Sequence, residues 1–150
     1  MRVVLQRVRE ASVEVENRIV GEINQGLLVL LGVEDKDTEE DVEWLVRKII
    51  NLRIFNDPQG VMNLSVEDIQ GGILIVSQFT LFASTKKGNR PSYQRASSNE
   101  FAYQMYLTFL QKLEHSFTGL VSSGRFGEDM KVSLMNDGPV TIFIDSQDRE

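Results

Sequence analysis

Gly72-Ile73-Leu74-Ile75-Val76-Ser77-Gln78-Phe79-Thr80-Leu81 is the stretch on which the fold turns. Four consecutive branched aliphatic residues after a glycine pair read as a strand buried on both faces, since neither alternate set of side chains is polar. Such a strand stays apolar to its end, yet this one gives way to a hydroxyl, an amide and a second hydroxyl. Buried polar groups cost free energy unless something pairs with them. Either the chain leaves the core at Ser77 and its hydroxyls satisfy neighbouring carbonyls, or the segment lines a polar pocket. In an extended strand Ser77 and Phe79 face one way and Gln78 and Thr80 the other. Ser77 and Thr80 therefore share a site only if the chain bends within those four residues. A bend there also frees backbone N–H groups, which can bind a developing oxyanion.

Upstream of this stretch, residues 2–8 read as a first strand, and Ala11, Val13 and Val15 alternate with polar residues as in a second, half-exposed one. Asn17-Arg18 turns the chain into Ile19–Ile23, completing a hairpin. Gly26–Val33 is a continuous apolar run, hence a central strand. Thr38 with Asp41 forms a capping box for a helix whose Val42, Leu45, Val46, Ile49 and Ile50 recur on one face. Asn56-Asp57-Pro58-Gln59-Gly60 is a turn. Downstream, Ser84–Ser92 reads as a loop, and Ser97 with Glu100 as a second capping box. It opens a helix with Ala102, Met105, Tyr106, Phe109, Leu110, Leu113 and Phe117 along one stripe. Ser122–Gly127 reads as a Gly/Ser loop and Met130–Met135 as a strand. Asn136-Asp137-Gly138-Pro139 breaks that strand before Val140–Ile144 resumes it. The expected fold is α+β, a strand-rich single domain over 1–150 with a barrel-like β-sheet and two main packed helices.

Composition bounds the function. The chain has 150 residues, 41% of them hydrophobic and 25% charged, which fits one soluble domain with a substantial core. No apolar run is long enough to cross a bilayer, so no membrane partner is expected, and with no cysteines in the chain a cytoplasmic location is the default expectation. There are no cysteines, which removes disulfides, thiol catalysis and thiolate metal ligands. The single histidine, His115, falls off the apolar stripe of its helix, so a Ser-His-Asp triad has no base and a catalytic zinc too few ligands. Neither a Gly-x-Gly-x-x-Gly nor a P-loop pattern occurs. No metal or cofactor is expected.

A net charge of -6 argues against a protein that grips long nucleic acid, DNA included, through many phosphates. Contact with one RNA end remains open. Seven acidic residues between Glu34 and Glu43 read as a solvated helix start. Lys86, Lys87 and Arg90, with Arg95 close by, form the one cationic concentration; a solvated loop and a phosphate contact both account for it. Gly138-Pro139 reads either as an ordinary turn or as a rigid corner whose main-chain carbonyls are fixed in space.

Taken together, Ser77-Gln78-Phe79-Thr80-Leu81 and Asn136-Asp137-Gly138-Pro139-Val140-Thr141 resemble the D-aminoacyl-tRNA deacylase (D-tyrosyl-tRNA deacylase) family. The likeness runs from Met1-Arg2-Val3-Val4-Leu5-Gln6-Arg7-Val8 through Lys87-Gly88-Asn89-Arg90-Pro91-Ser92 to the last strand. The resemblance implies a cytoplasmic homodimer of barrel-like α+β fold that hydrolyses the ester between a D-amino acid and the tRNA 3′ end, with no cofactor. It implies that Ser77, Gln78, Phe79 and Thr80 form the reactive segment. Gly138 and Pro139, in cis and from the partner subunit, act as a chiral filter whose carbonyls collide with an L side chain. Glycine has nothing to collide, so glycyl-tRNA is an expected substrate. Gln78 is expected near the ester or orienting Ser77, Arg7 orienting the Gly-Pro element, and Lys86, Lys87 and Arg90 at the RNA end. For Thr80 two roles stand: a nucleophile, which here lacks an evident base, or a backbone N–H donor with Phe79 while the ribose 2′-OH assists water. The absence of a base favours the second. Three other readings fit the residues less fully: a non-catalytic binding module, a proofreading domain like that of archaeal threonyl-tRNA synthetases, and a hydrolase using Ser77 or Thr80 as nucleophile.

Overall fold

The structure, a computed structural model, describes all residues from Met1 to Glu150. In chain order the elements are β1 (Arg2–Val15), β2 (Arg18–Ile23), β3 (Gly26–Gly32), α1 (Glu39–Asn51), β4 (Phe55–Asn56), β5 (Met62–Leu64), β6 (Gly72–Ser77), a 3₁₀ turn (Phe79–Phe82), α2 (Asn99–Ser116), β7 (Val121–Ser123) and β8 (Lys131–Asp145). The main sheet runs β2-β1-β3-β6-β7, with β8 also paired to β1, and β4 and β5 form a separate two-stranded ribbon.

The first two strands expected from the sequence are one. β1 continues through residues 9 and 10, bending where its register against β8 shifts on either side of Val8. A register shift moves side chains to the other face of a sheet. Val3 and Leu5, before the bend, join the larger core beneath the helices, whereas Val8, Ala11, Val13 and Val15 join a second core inside the curved sheet. Glu16 and Asn17 turn the chain with φ of 50° and 62°, the left-handed pair a two-residue hairpin needs to pair Val15 with Arg18.

β6 is buried on both faces, as its sequence requires. Ile73 and Ile75 face the helices with Leu27, Val29 and Leu31 of β3, and Leu74 and Val76 face the inner core with Leu28. β3, β6 and β7 are parallel, and α1 and α2 are carried by the two crossovers between them. Gly26 lies opposite Gly72, where an added Cβ would stand 1.9 Å from the Gly72 carbonyl oxygen. The edges nearly close: Glu22 N–H of β2 donates to Ser122 Oγ of β7 at 3.1 Å.

Four further local expectations need correction. Ser122 and Ser123 belong to β7 and not to a Gly/Ser loop, because they extend the parallel ladder from Leu74 and Ile75. The capping box at Thr38 forms, with Asp41 accepting from the Thr38 N–H at 2.9 Å and hydroxyl at 3.0 Å. The one at Ser97 does not: α2 begins after Ser98, and Ser97 Oγ donates instead to Asp35 at 2.6 Å. The acidic run is not simply solvated either. Glu34, Asp37 and Asp41 are buried, Asp37 accepting from the Glu34 N–H at 2.7 Å and from the Met1 amino group. Finally, residues 136–139 do not end β8. They bulge out of it, so that 137–140 stand between partners of Gln6 and Val8, opposite Arg7 alone.

Candidate active site

β6 ends at Ser77 and the chain bends at once: Gln78 has φ -145° and ψ 81°, and Phe79–Phe82 form one 3₁₀ turn. Gln78 N–H still bonds the Leu31 carbonyl of β3 at 2.7 Å. The next amide to donate is that of Leu81, to Gln78 O at 3.3 Å, followed by Ala83 to Thr80 O at 3.0 Å. The amides of Phe79 and Thr80 thus stand at the open N-terminal end of the turn, without an acceptor inside it. Gly32 makes room for this bend, since a Cβ there would lie 3.0 Å from Gln78 O and 3.1 Å from Leu81 Cβ.

Beside the turn lies a cavity of about 510 Å³ lined by Ser77, Gln78 and Phe79, by Tyr106 of α2, and by Phe126 and Glu128 of the β7–β8 loop. Of the four residues expected in the reactive segment, three reach it. Thr80 does not line it: its Oγ1 accepts from Gln78 Nε2 at 2.5 Å. Gln78 is therefore engaged with Thr80 and not with Ser77. Sequence reasoning missed Tyr106, read as core, and Glu128, whose neighbour Gly127 at φ 79° marks the tight loop that brings it there. Burial pushes the Tyr106 phenol up to about 12, so it stays neutral, and its hydroxyl donates to Ile75 O at 3.4 Å.

The second motif sits elsewhere. The Gly138-Pro139 bond is cis, Gly138 has φ 146°, and both residues are exposed. Neither borders the cavity of its own chain. The corner is pinned at its base: Arg7, buried, donates Nε to Asp137 O at 2.7 Å and Nη1 to Ile54 O at 2.6 Å. Asn136 accepts from Val140 N–H at 2.8 Å and donates to Thr141 Oγ1 at 3.1 Å. Arg7 thus lies against the base of the Gly-Pro corner.

The cationic loop is closed by reciprocal backbone bonds between Ser84 and Ser92 at 2.8 and 2.9 Å. Lys86, Lys87 and Arg90 are exposed and lie outside the cavity lining. Arg95 differs from them. It pairs with Glu34 at 3.6 Å and packs over the Phe82 ring, so it braces the turn.

Adjacent amides at the open end of a turn beside a cavity, with hydroxyls at its wall and the only histidine exposed on α2, form an arrangement that can hold an oxyanion with main chain and offers no imidazole base. Comparison with known proteins makes the assignment particular. Residues 4–145 match the D-Tyr-tRNA(Tyr) deacylase family, and the chain belongs to that family. It is 57% identical to the D-aminoacyl-tRNA deacylase of Flavobacterium johnsoniae and 59% identical to that of Flavobacterium psychrophilum, in each case over 150 residues and 100% of both chains. Among solved structures it is similar to the c-Myc DNA Unwinding Element Binding Protein, with TM-score 0.92, 44% identity and coverage of 97% of this chain and 98% of that one. A probable eukaryotic D-amino acid tRNA deacylase shares the fold at TM-score 0.78 and 22% identity, over 95% and 97% of the two chains.

Proposed function

We propose that this chain hydrolyses the ester joining a D-amino acid, or glycine, to the 3′ end of tRNA, spares L-aminoacyl-tRNA, and does so in the cytoplasm as a homodimer. The observation that carries the reading is the pair of amides at Phe79 and Thr80, at the head of a turn that borders the cavity and holds no acceptor for them. Water attacks the ester carbonyl, the two N–H groups hold the oxyanion, and the bond from the acyl carbon to the ribose 3′ oxygen breaks as a proton from that water passes to the 3′ oxygen, leaving the free amino acid and a 3′-OH. The 2′-OH of the same ribose assists the water, since Thr80 Oγ1 already accepts from Gln78 and has no basic neighbour to activate it.

Selection comes from the partner's copy of the Gly138-Pro139 corner. In a single chain that corner is exposed, anchored at its base and away from the cavity, as a projection meant for another molecule would be. Its fixed carbonyls reject an L side chain by collision, so many D side chains are accepted without being individually recognised. Lys86, Lys87 and Arg90 contact phosphates of the RNA end. The DNA named for the 44% identical relative is not carried over, because a chain of net charge -6 is poorly suited to a long duplex.

The test compares D-tyrosyl-, L-tyrosyl- and glycyl-tRNA. D-tyrosyl- and glycyl-tRNA should be cleaved and L-tyrosyl-tRNA spared. Thr80→Ala should keep most activity, and a 2′-deoxy tRNA end should abolish it. Comparable cleavage of both tyrosyl enantiomers refutes the filter, and a trapped acyl-Thr80 refutes the water mechanism.

A further inference from the structure

Two aromatic side chains, Phe79 at the cavity wall and Tyr93 packed against it, have no role in the chemistry above. Phe79 is 57% exposed and Tyr93 40% exposed, unusual for rings of their size. Their centroids are 5.1 Å apart at 68°, an edge-to-face pair. Such a pair fixes both rings yet leaves ring faces uncovered. Phe79 borders the cavity, so the pair marks where a molecule filling it emerges.

What emerges can be read from the charge beside it. Tyr93 follows Ser92, one of the two residues that close the cationic loop, so Lys86, Lys87 and Arg90 leave a loop whose base adjoins the rings. None of the three forms an ion pair, in a chain with 22 acidic residues available to pair them. The strap's other end is tied down by Arg95 on Glu34 and Ser97 on Asp35. Open aromatic faces beside free cations on a tethered strap are the combination that holds single-stranded nucleic acid: bases stack, phosphates meet the cations.

We infer that Phe79 and Tyr93 form a stacking ledge for the unpaired nucleotides just 5′ of the terminal nucleoside of the tRNA, with Lys86, Lys87 and Arg90 meeting their phosphates. This rests on the proposed deacylase activity and adds Tyr93 as a substrate-holding residue outside the reacting centre. The ledge grips RNA that the terminal nucleoside alone does not contain. Its contribution therefore disappears when the substrate is trimmed to that nucleoside.

The experiment compares D-tyrosyl-tRNA with 3′-O-D-tyrosyl-adenosine as substrates for wild type, Tyr93→Ala and Tyr93→Phe. Tyr93→Ala should raise KM for the tRNA about tenfold, leave kcat within about twofold, and leave the nucleoside ester unaffected; Tyr93→Phe should behave as wild type. Equal losses on both substrates would overturn the ledge, because Tyr93 would then be bracing Phe79 only. No change on either substrate would also overturn it. So would a change in the mass of the assembly by light scattering in Tyr93→Ala, which would mean that a second copy of the chain covers the rings. Anisotropy of an uncharged acceptor-stem minihelix with a single-stranded 3′ end reads the ledge without hydrolysis. Wild type should bind it about tenfold more tightly than Tyr93→Ala, and equal binding refutes the ledge. Failure of wild type to cleave either ester would instead count against the deacylase reading, with the binding comparison still deciding the ledge.

Discussion

Arg7→Met is the most informative single perturbation of the Gly-Pro corner. The substitution keeps an unbranched apolar stem but removes the donors at 2.7 Å from Asp137 O and 2.6 Å from Ile54 O. A hydrogen bond from a charged group contributes about 1.5–3 kcal/mol. Taking each of the two bonds at the lower end of that range sets the combined loss at about 3 kcal/mol or more, since the Ile54 bond is buried and the Asp137 bond partly so. For a domain of this length each kcal/mol moves Tm by roughly 2–4 °C, so a fall of about 6–12 °C is expected. Urea unfolding should show a lower midpoint at unchanged slope. Arg7→Lys, which reaches one carbonyl at a time, should lose about half as much. If Arg7 also orients the selecting corner, Arg7→Met assayed well below its melting point should lose discrimination against L-aminoacyl-tRNA. Leu45→Ala supplies the control, as Leu45 is fully buried in the helix-side core. Melting of Arg7→Met within 2 °C of wild type would refute the energetic argument, and equal erosion of selectivity in both variants would refute the positioning role.

Gly26→Ala should destabilise the fold by about 3 kcal/mol in urea unfolding, because its Cβ meets the Gly72 carbonyl oxygen at 1.9 Å and neither backbone can yield; Gly72→Ala, which meets the Ile23 Cγ2 at 2.9 Å, should cost less. Burial alone would raise the Asp145 carboxyl, but the hydrogen bond from Arg2, the Gln147 amide and the Arg2 charge overcome it and hold the group below its usual range. The unfolded chain therefore takes up this proton first. Asp145 stabilises fully above an unfolded value of about 3.9 and loses that contribution as pH falls through the lower folded value. Asp145→Asn should be less stable than wild type at pH 7 and converge with it as pH falls through the folded value of Asp145; a gap that persists in acid would refute the linkage. Glu128→Gln should keep kcat within a few-fold if the 2′-OH assists the water, whereas a loss of about 100-fold or more would make Glu128 the general base.

The sequence carried information about whatever is buried by its own pattern. β6 is apolar on both faces and is buried on both, and Thr38 with Asp41 caps α1 through the bonds their spacing allows. It was less informative wherever a long-range partner decides the outcome. Ser122 and Ser123 are polar and read as loop, yet β6 recruits them to its edge, and Ser122 Oγ then takes the Glu22 amide of β2. Asp37 reads as a surface acid until a buried amino group and the Glu34 amide are placed against it. Ser97 has the spacing of a helix cap, but its hydroxyl donates to Asp35 and α2 begins after Ser98. At the site, the bend after Ser77 was foreseeable from polar residues ending an apolar strand. The opposite wall of the cavity was not, because Phe126 and Glu128 arrive from a segment 49 and 51 residues further along the chain than Ser77.

The anchoring of the corner decides how a shared site can be built at all. β8 is paired to β1 on both sides of residues 137–140, by Asn136 with Val8 and Thr141 with Gln6. Arg7 and Asn136 then hold the intervening loop by its base. A loop fastened at both ends and across its mouth cannot swing toward the cavity of its own chain, where neither Gly138 nor Pro139 contributes to the wall. If Gly138-Pro139 selects the substrate, it does so in another copy, and activity and assembly fall together on dilution. A rigid projection also suits steric rejection better than a mobile one, since a loop able to yield would admit the L side chain it is meant to exclude. Deacylation that stays proportional to protein concentration down to a range where light scattering reports single chains would therefore defeat the partner-borne filter, while leaving the amides of Phe79 and Thr80 as the catalytic element.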